Sequence, residues 1–480
     1  MTDDLPRPWL SSYAPGVPAD VEVDEPVTST LRRIAEAYPA RIATDFLGAV
    51  TTYDALQRRV DKAAEALRQL GVKPGERVAL VLPNCATHVV AFYAVLRIGG
   101  VVVEHNPTYT ASELEHQLAD SGAVVAIVWE KATAAVLSVR EHTALRTIVT
   151  VNLAADLPAI KRVALYLPVP AARKTLASMR SRVRLGNDVL RWDRLVSRAH
   201  PLAADFPQPS LDDTALLQYT GGTTGTPKGA VLRHQQVAVN AAQGLAWTQH
   251  SIGTETVYAA LPFFHAFGLM LCLTYGVLTA STMVIFPKFD VDAVLKAQRR
   301  RPATFFPGVP PMFQRLAVAA RRTGTDLTTI THSISGAMAL SPETAASWEE
   351  VTGGLIVEGY GMTETSPVAL GSPMSAARRP GMLGLPFPST YMRVVDPENP
   401  THDVEPGQDG ELLLAGPQVF EGYWNRPEET AAALIQDRGR TWLRTGDVVT
   451  VDDDGFVRLI DRIKEVIITG GFNVYPSQVE

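Results

Sequence analysis

Residues 219–230, YTGGTTGTPKGA, put four glycines, four threonines and one lysine into twelve positions. Gly221, Gly222 and Gly225 let a backbone turn tightly and present its N–H groups with no side chain in the way. Thr220, Thr223, Thr224 and Thr226 add hydroxyl donors, and Lys228 adds a mobile positive charge. Such a set suits a polyphosphate. It is not the phosphate loop of nucleotide hydrolases, which needs Gly, Lys and Ser or Thr in succession. Here Lys228 stands between Pro227 and Gly229.

Other positions could do chemistry, each with an ordinary structural alternative. His265 lies in LPFFHAFG (261–268), where a histidine among aromatics can be a core residue. Asp447 follows Gly446, where an aspartate can simply begin a turn. Cys85 and Cys272 are the two cysteines, both in apolar runs, so neither a disulfide framework nor a zinc pattern is expected and a reducing cytosol fits. The net charge of −6 argues against a general attraction to nucleic acid. MTDDLPRPWL has no apolar core and does not read as a secretion signal. Residues 269–286, LMLCLTYGVLTASTMVIF, come closest to a membrane span, but their polar interruptions read better as a buried helix running into a strand. A cytoplasmic protein is expected. Residues 161–185 reverse the overall charge, with seven Lys/Arg and no acid among Val, Leu, Tyr and Met. Two readings stay open: a basic surface element that touches anionic lipid, or a solvated insertion that Pro168 and Pro170 keep from forming one long helix.

The elements around these residues read as α/β. TALLQY before the glycine loop predicts a buried strand, and QQVAVNAAQGLAW after it a helix. RVALVLPN, VVVEHNP and AVVAIV predict strands separated by the helices ATHVVAFYAVLRIGG and TASELEHQLADSG. That alternation argues for a parallel sheet covered by helices, and it returns from about Leu216 to Val357. Beyond Arg379, short strands such as GELLLAG and GFVRLIDR predict a smaller β-rich part. The expected architecture is two layered α/β lobes, about 30–215 and 216–378, and a β-rich, distorted-barrel subdomain, about 379–462.

In order along the chain, YTGGTTGTPKGA, LPFFHAFG, SGAMAL (335–340), VEGYGMTETSP (357–367), GELLLAG (410–416), WLRTGDVVTVDDDGFVRLIDRIKE (442–465) and VIITGGFNVYPSQVE (466–480) resemble the motif series of the AMP-forming adenylating superfamily. That superfamily includes acyl-CoA synthetases, firefly luciferase and peptide-synthetase adenylation domains. The resemblance covers nearly the whole chain. It implies that the loop, Thr220 to Thr226 with Lys228, grips the β- and γ-phosphates of ATP. Tyr360 would lie against adenine, within a nucleotide-binding stretch of Glu358, Gly359, Gly361 and Met362. Thr363 would donate to the α-phosphate, and Glu364, with Thr223, would help to hold Mg²⁺. Gly336 and Ala337 would border adenine and the acyl chain. Asp447 would accept the ribose hydroxyls, and Arg462 would contact the ribose. His265 would sit beside the substrate carboxylate and counter its charge. Phe263, Phe264, His265, Gly336 and Gly361 would line the acyl site, with Lys464 as the hinge.

The implied activity is ATP-dependent activation of a carboxylic acid to an acyl adenylate, followed by thioester formation with coenzyme A. DRIKEVIITGGFNVYPSQVE resembles acyl-CoA synthetases more than peptide-synthetase domains, and 161–185 resembles the insertion of membrane-peripheral long-chain enzymes. A medium- or long-chain fatty acid is therefore the expected substrate. An aryl acid, a fatty acyl-AMP ligase, a β-lactone synthetase and a non-catalytic nucleotide-binding module stay open, as does a homodimer. Because the chain stops at Glu480 in mid-motif, the expectation is a large domain, 1–462, with residues 463–480 as the start of a lid otherwise missing. Such a chain is expected to bind ATP or an acyl adenylate but to adenylate poorly and form thioester hardly at all.

Overall fold

Apolar runs without polar alternation become interior strands. Val78, Ala79, Leu80 and Val81 are all fully buried, as in a parallel sheet covered on both faces. The computed structural model describes residues 5–220, 226–463, 467–469 and 472–474; Gly221, Gly222, Thr223, Thr224, Gly225 and Lys464 lie outside the described residues. Among the described residues, three large sheets and a two-stranded ribbon account for the strands.

The first sheet has eight strands. Its parallel part runs from Thr214–Thr220 through Val101–Glu104, Arg77–Val81, Val125–Trp129 and Thr147–Val151 to Val189–Arg191. On the other side, Lys228–Arg233 pairs antiparallel with Thr214–Thr220, and Gly422–Tyr423 adds an antiparallel edge. The second sheet has nine strands, with Thr256–Ala259, Thr282–Ile285, Phe305–Gly308, His332–Ser335 and Leu355–Gly361 parallel at its centre. The third is antiparallel and is built on the twelve-residue strand Arg440–Val451.

The lobes interleave. Ile42–Phe46 and Ala49–Thr52 join the second sheet, whereas the hairpin at 214–233 belongs to the first, so the sheets do not divide at residue 215. Helix Ala86–Arg97 explains how the two halves hold together: all twelve of its residues are buried. One apolar cluster continues through it, from Val78 and Leu80 of the first sheet to Ala259, Ile285 and Ile334 of the second. Helix Ala111–Ser121 is closed as its sequence predicts, with a Thr110–Glu113 capping box and a left-handed Gly122. Residues 269–286 form a buried helical stretch followed by the strand Thr282–Ile285. No described helix is long and apolar enough to cross a membrane.

One local expectation is corrected. Strand, loop and helix were predicted around the glycines, but a second strand, Lys228–Arg233, intervenes before helix His234–Thr248. The loop therefore closes a β-hairpin, with Thr220 opposite Lys228 at its base. The extra strand arises because Gly229 slots beneath the ring of Tyr219 and beside Trp424, and because Trp424 N–H donates to the Gly229 carbonyl at 2.7 Å. Neither partner is adjacent in sequence to the strand's own pattern.

Candidate active site

The hairpin base is held from three sides. His116 on helix Ala111–Ser121 lies 3.0 Å from the Pro227 carbonyl, and the Tyr219 hydroxyl donates to Asp120 on the same helix at 2.7 Å. Gln218, two residues before Thr220, donates through Nε2 to the Phe264 carbonyl at 2.6 Å. This last bond ties the phosphate-loop strand to the LPFFHAFG turn. Asn84 secures that turn from the opposite direction, accepting from Phe263 N–H at 2.7 Å and donating to the Leu261 carbonyl at 2.7 Å.

The VEGYGMTET segment lies between two groups of side chains. Gly361 is required there by sterics, since a Cβ would lie 1.8 Å from the Pro367 carbonyl oxygen. After it, Thr363–Thr365 makes a single tight turn. On the Glu364 side, the carboxylate accepts from the Tyr423 hydroxyl at 2.6 Å, and the Lys228 ammonium sits 4.4 Å from the centre of the Tyr423 ring. On the Tyr360 side, the phenol donates to Asp447, whose other oxygen lies 3.1 Å from Arg462 Nε. Asp447 and Arg462 face each other in register on neighbouring strands. Burial, with the Asp447 charge beside it, pushes the Tyr360 phenol well above its ordinary value, so it stays a donor. Glu364 follows Tyr360 by four positions, about 14 Å at most along an extended chain. A cationic hairpin with one carboxylate at one end, and a buried carboxylate with an aromatic ring at the other, can hold a polyanion joined to a flat, hydroxyl-bearing group.

The other candidates divide. Glu358 accepts from Leu340 N–H at 3.2 Å and Gly381 N–H at 2.9 Å, so its carboxylate pins the chain beyond Gly336 and Ala337. Ala337 is held at φ +64°, unusual for a residue with a Cβ, and the Gly336 Cα packs against Phe267 so closely that a Cβ would lie 2.8 Å from its ring. Phe263 is fully buried, edge-on to His88 at 5.4 Å, with the His88–Glu104 pair beyond it. Its ring belongs to the core. Phe264 is half-buried.

His265 is exposed on this turn, and desolvation by its neighbours holds its pKa below 6.5. Its Nδ1 accepts from Phe267 N–H at 3.3 Å, so the neutral ring carries its proton on Nε2.

Tyr423, Gln218 and Asn84 were missed from sequence. Only the Gly-Tyr pair before Trp424 was a signal, and nothing in it points 59 residues back to Glu364.

This is the fold of an adenylate-forming enzyme. The chain belongs to the AMP-binding enzyme family, whose model matches residues 31–424. It is 36% identical to a long-chain-fatty-acid–CoA ligase of Bacillus subtilis, an alignment that covers 99% of this chain and 83% of that one. It is 34% identical to a feruloyl-CoA synthase of an Amycolatopsis species over 93% and 81% of the two chains. Among solved structures, ATP-bound MatB from Rhodopseudomonas palustris superposes with a TM-score of 0.79 at 27% identity, covering 95% of this chain and 82% of that one.

Proposed function

We propose that this chain activates a medium- or long-chain fatty acid with ATP and transfers the acyl group to coenzyme A. The observation that supports it most is the contact path Lys228–Tyr423–Glu364 and Tyr360–Asp447–Arg462 on either side of one short segment. A carboxylate is a poor acyl donor because its leaving group would be oxide. Attack of a carboxylate oxygen on the α-phosphorus forms the acyl adenylate and expels pyrophosphate. The thiol of coenzyme A then attacks the acyl carbon, losing its proton, and AMP departs.

The residues do this work by position and charge. Asp447 accepts the ribose hydroxyls, sharing or displacing its Tyr360 and Arg462 contacts, while the Tyr360 ring flanks adenine. Lys228 neutralises phosphate charge, and the threonine hydroxyls at the hairpin donate to the phosphate oxygens. Thr363 donates to the α-phosphate. His265 donates from Nε2 to the substrate carboxylate. Among the described residues no three His, Cys, Asp or Glu side chains gather into a metal cage. A single carboxylate, Glu364, beside a phosphate-binding hairpin fits Mg²⁺, an ion that takes most of its ligands from substrate phosphates and water. When bound, Mg²⁺ supplies charge neutralisation on those phosphates.

The fatty-acid reading draws on the name of the Bacillus relative and on the buried apolar stretch Leu269–Thr274 behind the His265 turn. The feruloyl-CoA synthase relative favours an aryl acid as the second reading. Calorimetry with acyl-sulfamoyl adenosines, stable mimics of the adenylate, separates them. We expect affinity to rise with aliphatic chain length from C8 towards C16. Tighter binding of a benzoyl or cinnamoyl mimic would overturn the fatty-acid assignment.

A peripheral contact with anionic lipid through 161–185 forms part of this proposal. Pro168 and Pro170 divide the segment into short helices, Ala159–Ala164 and Pro170–Met179. Ile160, Val163, Tyr166, Leu167 and Val169 are exposed there, Ile160 by 85%, beside Arg162, Arg173 and Lys174. Beneath lies a cavity of about 460 Å³, lined by Leu165, Met179 and Phe286 and rimmed by Lys161, Lys296 and Arg300. Co-sedimentation with phosphatidylglycerol vesicles is expected, weakened about 30-fold when Arg173 and Lys174 become glutamine, since each basic residue near such a surface adds about 1 kcal/mol and every 1.4 kcal/mol is a factor of ten. Equal recovery with neutral phosphatidylcholine would contradict it.

A further inference from the structure

Tyr423 touches both charged groups of the phosphate end while belonging to neither of their elements. Its hydroxyl donates to Glu364 Oε1 at 2.6 Å, and its ring face receives the Lys228 ammonium at 4.4 Å. The ring is also held by contacts outside the two charged side chains. Phe420 packs edge-on at 4.9 Å, Tyr423 N–H donates to Thr430 Oγ1 at 2.9 Å, and the backbone pairs with Ala230 on the outer hairpin strand. Gly422 sets the entry to this position at φ +138°, where a Cβ would lie 2.5 Å from Thr430 Cγ2. No other residue type fits that approach.

We propose that Tyr423 is a positioning residue that joins the carboxylate turn to the phosphate hairpin, its hydroxyl orienting Glu364 towards the metal ion and its ring seating Lys228 towards the phosphates. This rests on the roles proposed above for Glu364 and Lys228. A glutamate side chain has three torsions, and ordering it for a metal ion costs conformational entropy. A fixed donor on one oxygen removes that cost in advance and leaves the second oxygen for the ion, as the hydrogen-bonding partners of metal-binding carboxylates do. The aromatic face holds the ammonium without neutralising it, because the attraction comes from the ring quadrupole and not from a counter-charge. A tyrosine that served only as packing would use its ring alone.

The ring and the hydroxyl can be tested apart. ATP affinity is measured by calorimetry in excess Mg²⁺ and in EDTA for the unaltered chain, Tyr423→Phe, Tyr423→Leu and Glu364→Gln, each with its thermal midpoint. Tyr423→Phe keeps the ring and its Phe420 contact. It is expected to lose about tenfold of the Mg²⁺-dependent gain in affinity, the lower range for removing a ligand's hydrogen-bonding partner, while binding in EDTA stays within about twofold. Tyr423→Leu is expected to weaken binding in EDTA as well, by about threefold, as the Lys228 seat is lost. An unchanged Mg²⁺ gain in Tyr423→Phe while Glu364→Gln loses it overturns the bridge alone. Equal losses with and without Mg²⁺, tracking a lowered midpoint, reduce Tyr423 to packing and also overturn it. If Glu364→Gln itself keeps the whole gain, the metal role of Glu364 fails, and this inference fails with it.

Discussion

Replacing Asp447 by alanine is expected to weaken ATP binding about 100-fold. The carboxylate is almost wholly buried on the long strand of the third sheet, in contact with the Tyr360 phenol and Arg462. Two ribose hydroxyls donating to a charged acceptor are worth about 1.5 kcal/mol or more each, and every 1.4 kcal/mol is a factor of ten. Truncation also leaves a buried phenol without its acceptor. Asp447→Asn keeps the shape and one acceptor oxygen but loses the charge facing Arg462, so about tenfold is expected. Calorimetry with ATP reads both variants. A dissociation constant for Asp447→Ala within threefold of the unaltered chain would remove the ribose anchor.

The second large effect is on rate. Lys228→Ala is expected to slow ATP–pyrophosphate exchange by about 10²- to 10³-fold, the range seen when one preorganised charge-stabilising donor is removed from an active site. The ammonium is placed before substrate arrives, on the ring of Tyr423 at the mouth of the hairpin. The fold should hardly notice: the residue is half-buried and makes one cation–π contact, worth about 0.5–1 kcal/mol. Lys228→Arg is not expected to rescue, because a planar guanidinium presents its charge differently from a compact ammonium. Exchange that falls less than fivefold in Lys228→Ala, with an unchanged thermal midpoint, would displace the lysine from the chemistry.

Local order was readable from the residues and long-range order was not. The strand runs at 77, 101 and 125, the capped helix at 111–121 and the change to a β-rich part beyond Arg379 follow from apolar runs, caps and turns that a short window contains. The exchange of strands between the sheets depends on Thr44, Asp45 and Phe46 pairing with Met283, Val284 and Ile285, more than two hundred residues away. No local pattern carries that. The same distinction runs through the site. Tyr360, Glu364, Asp447 and Arg462 stand in quotable motifs, and the structure brings Tyr360, Asp447 and Arg462 into contact. Tyr423 acts through a partner 59 residues earlier and a lysine on another strand, so its environment exists only after folding. Phe263 and Phe264 are adjacent and alike in sequence, yet one is core and the other half-exposed, because consecutive residues of an irregular turn face different ways.

The most direct measurement is a crystal structure of this chain with ATP and Mg²⁺. The account predicts one nucleotide lying along the Tyr360–Glu364 segment, with its ribose hydroxyls on Asp447, its adenine on the Tyr360 ring and its β- and γ-phosphates beside Lys228. A nucleotide bound elsewhere, or one that reaches Asp447 but turns its phosphates away from the hairpin, would contradict it.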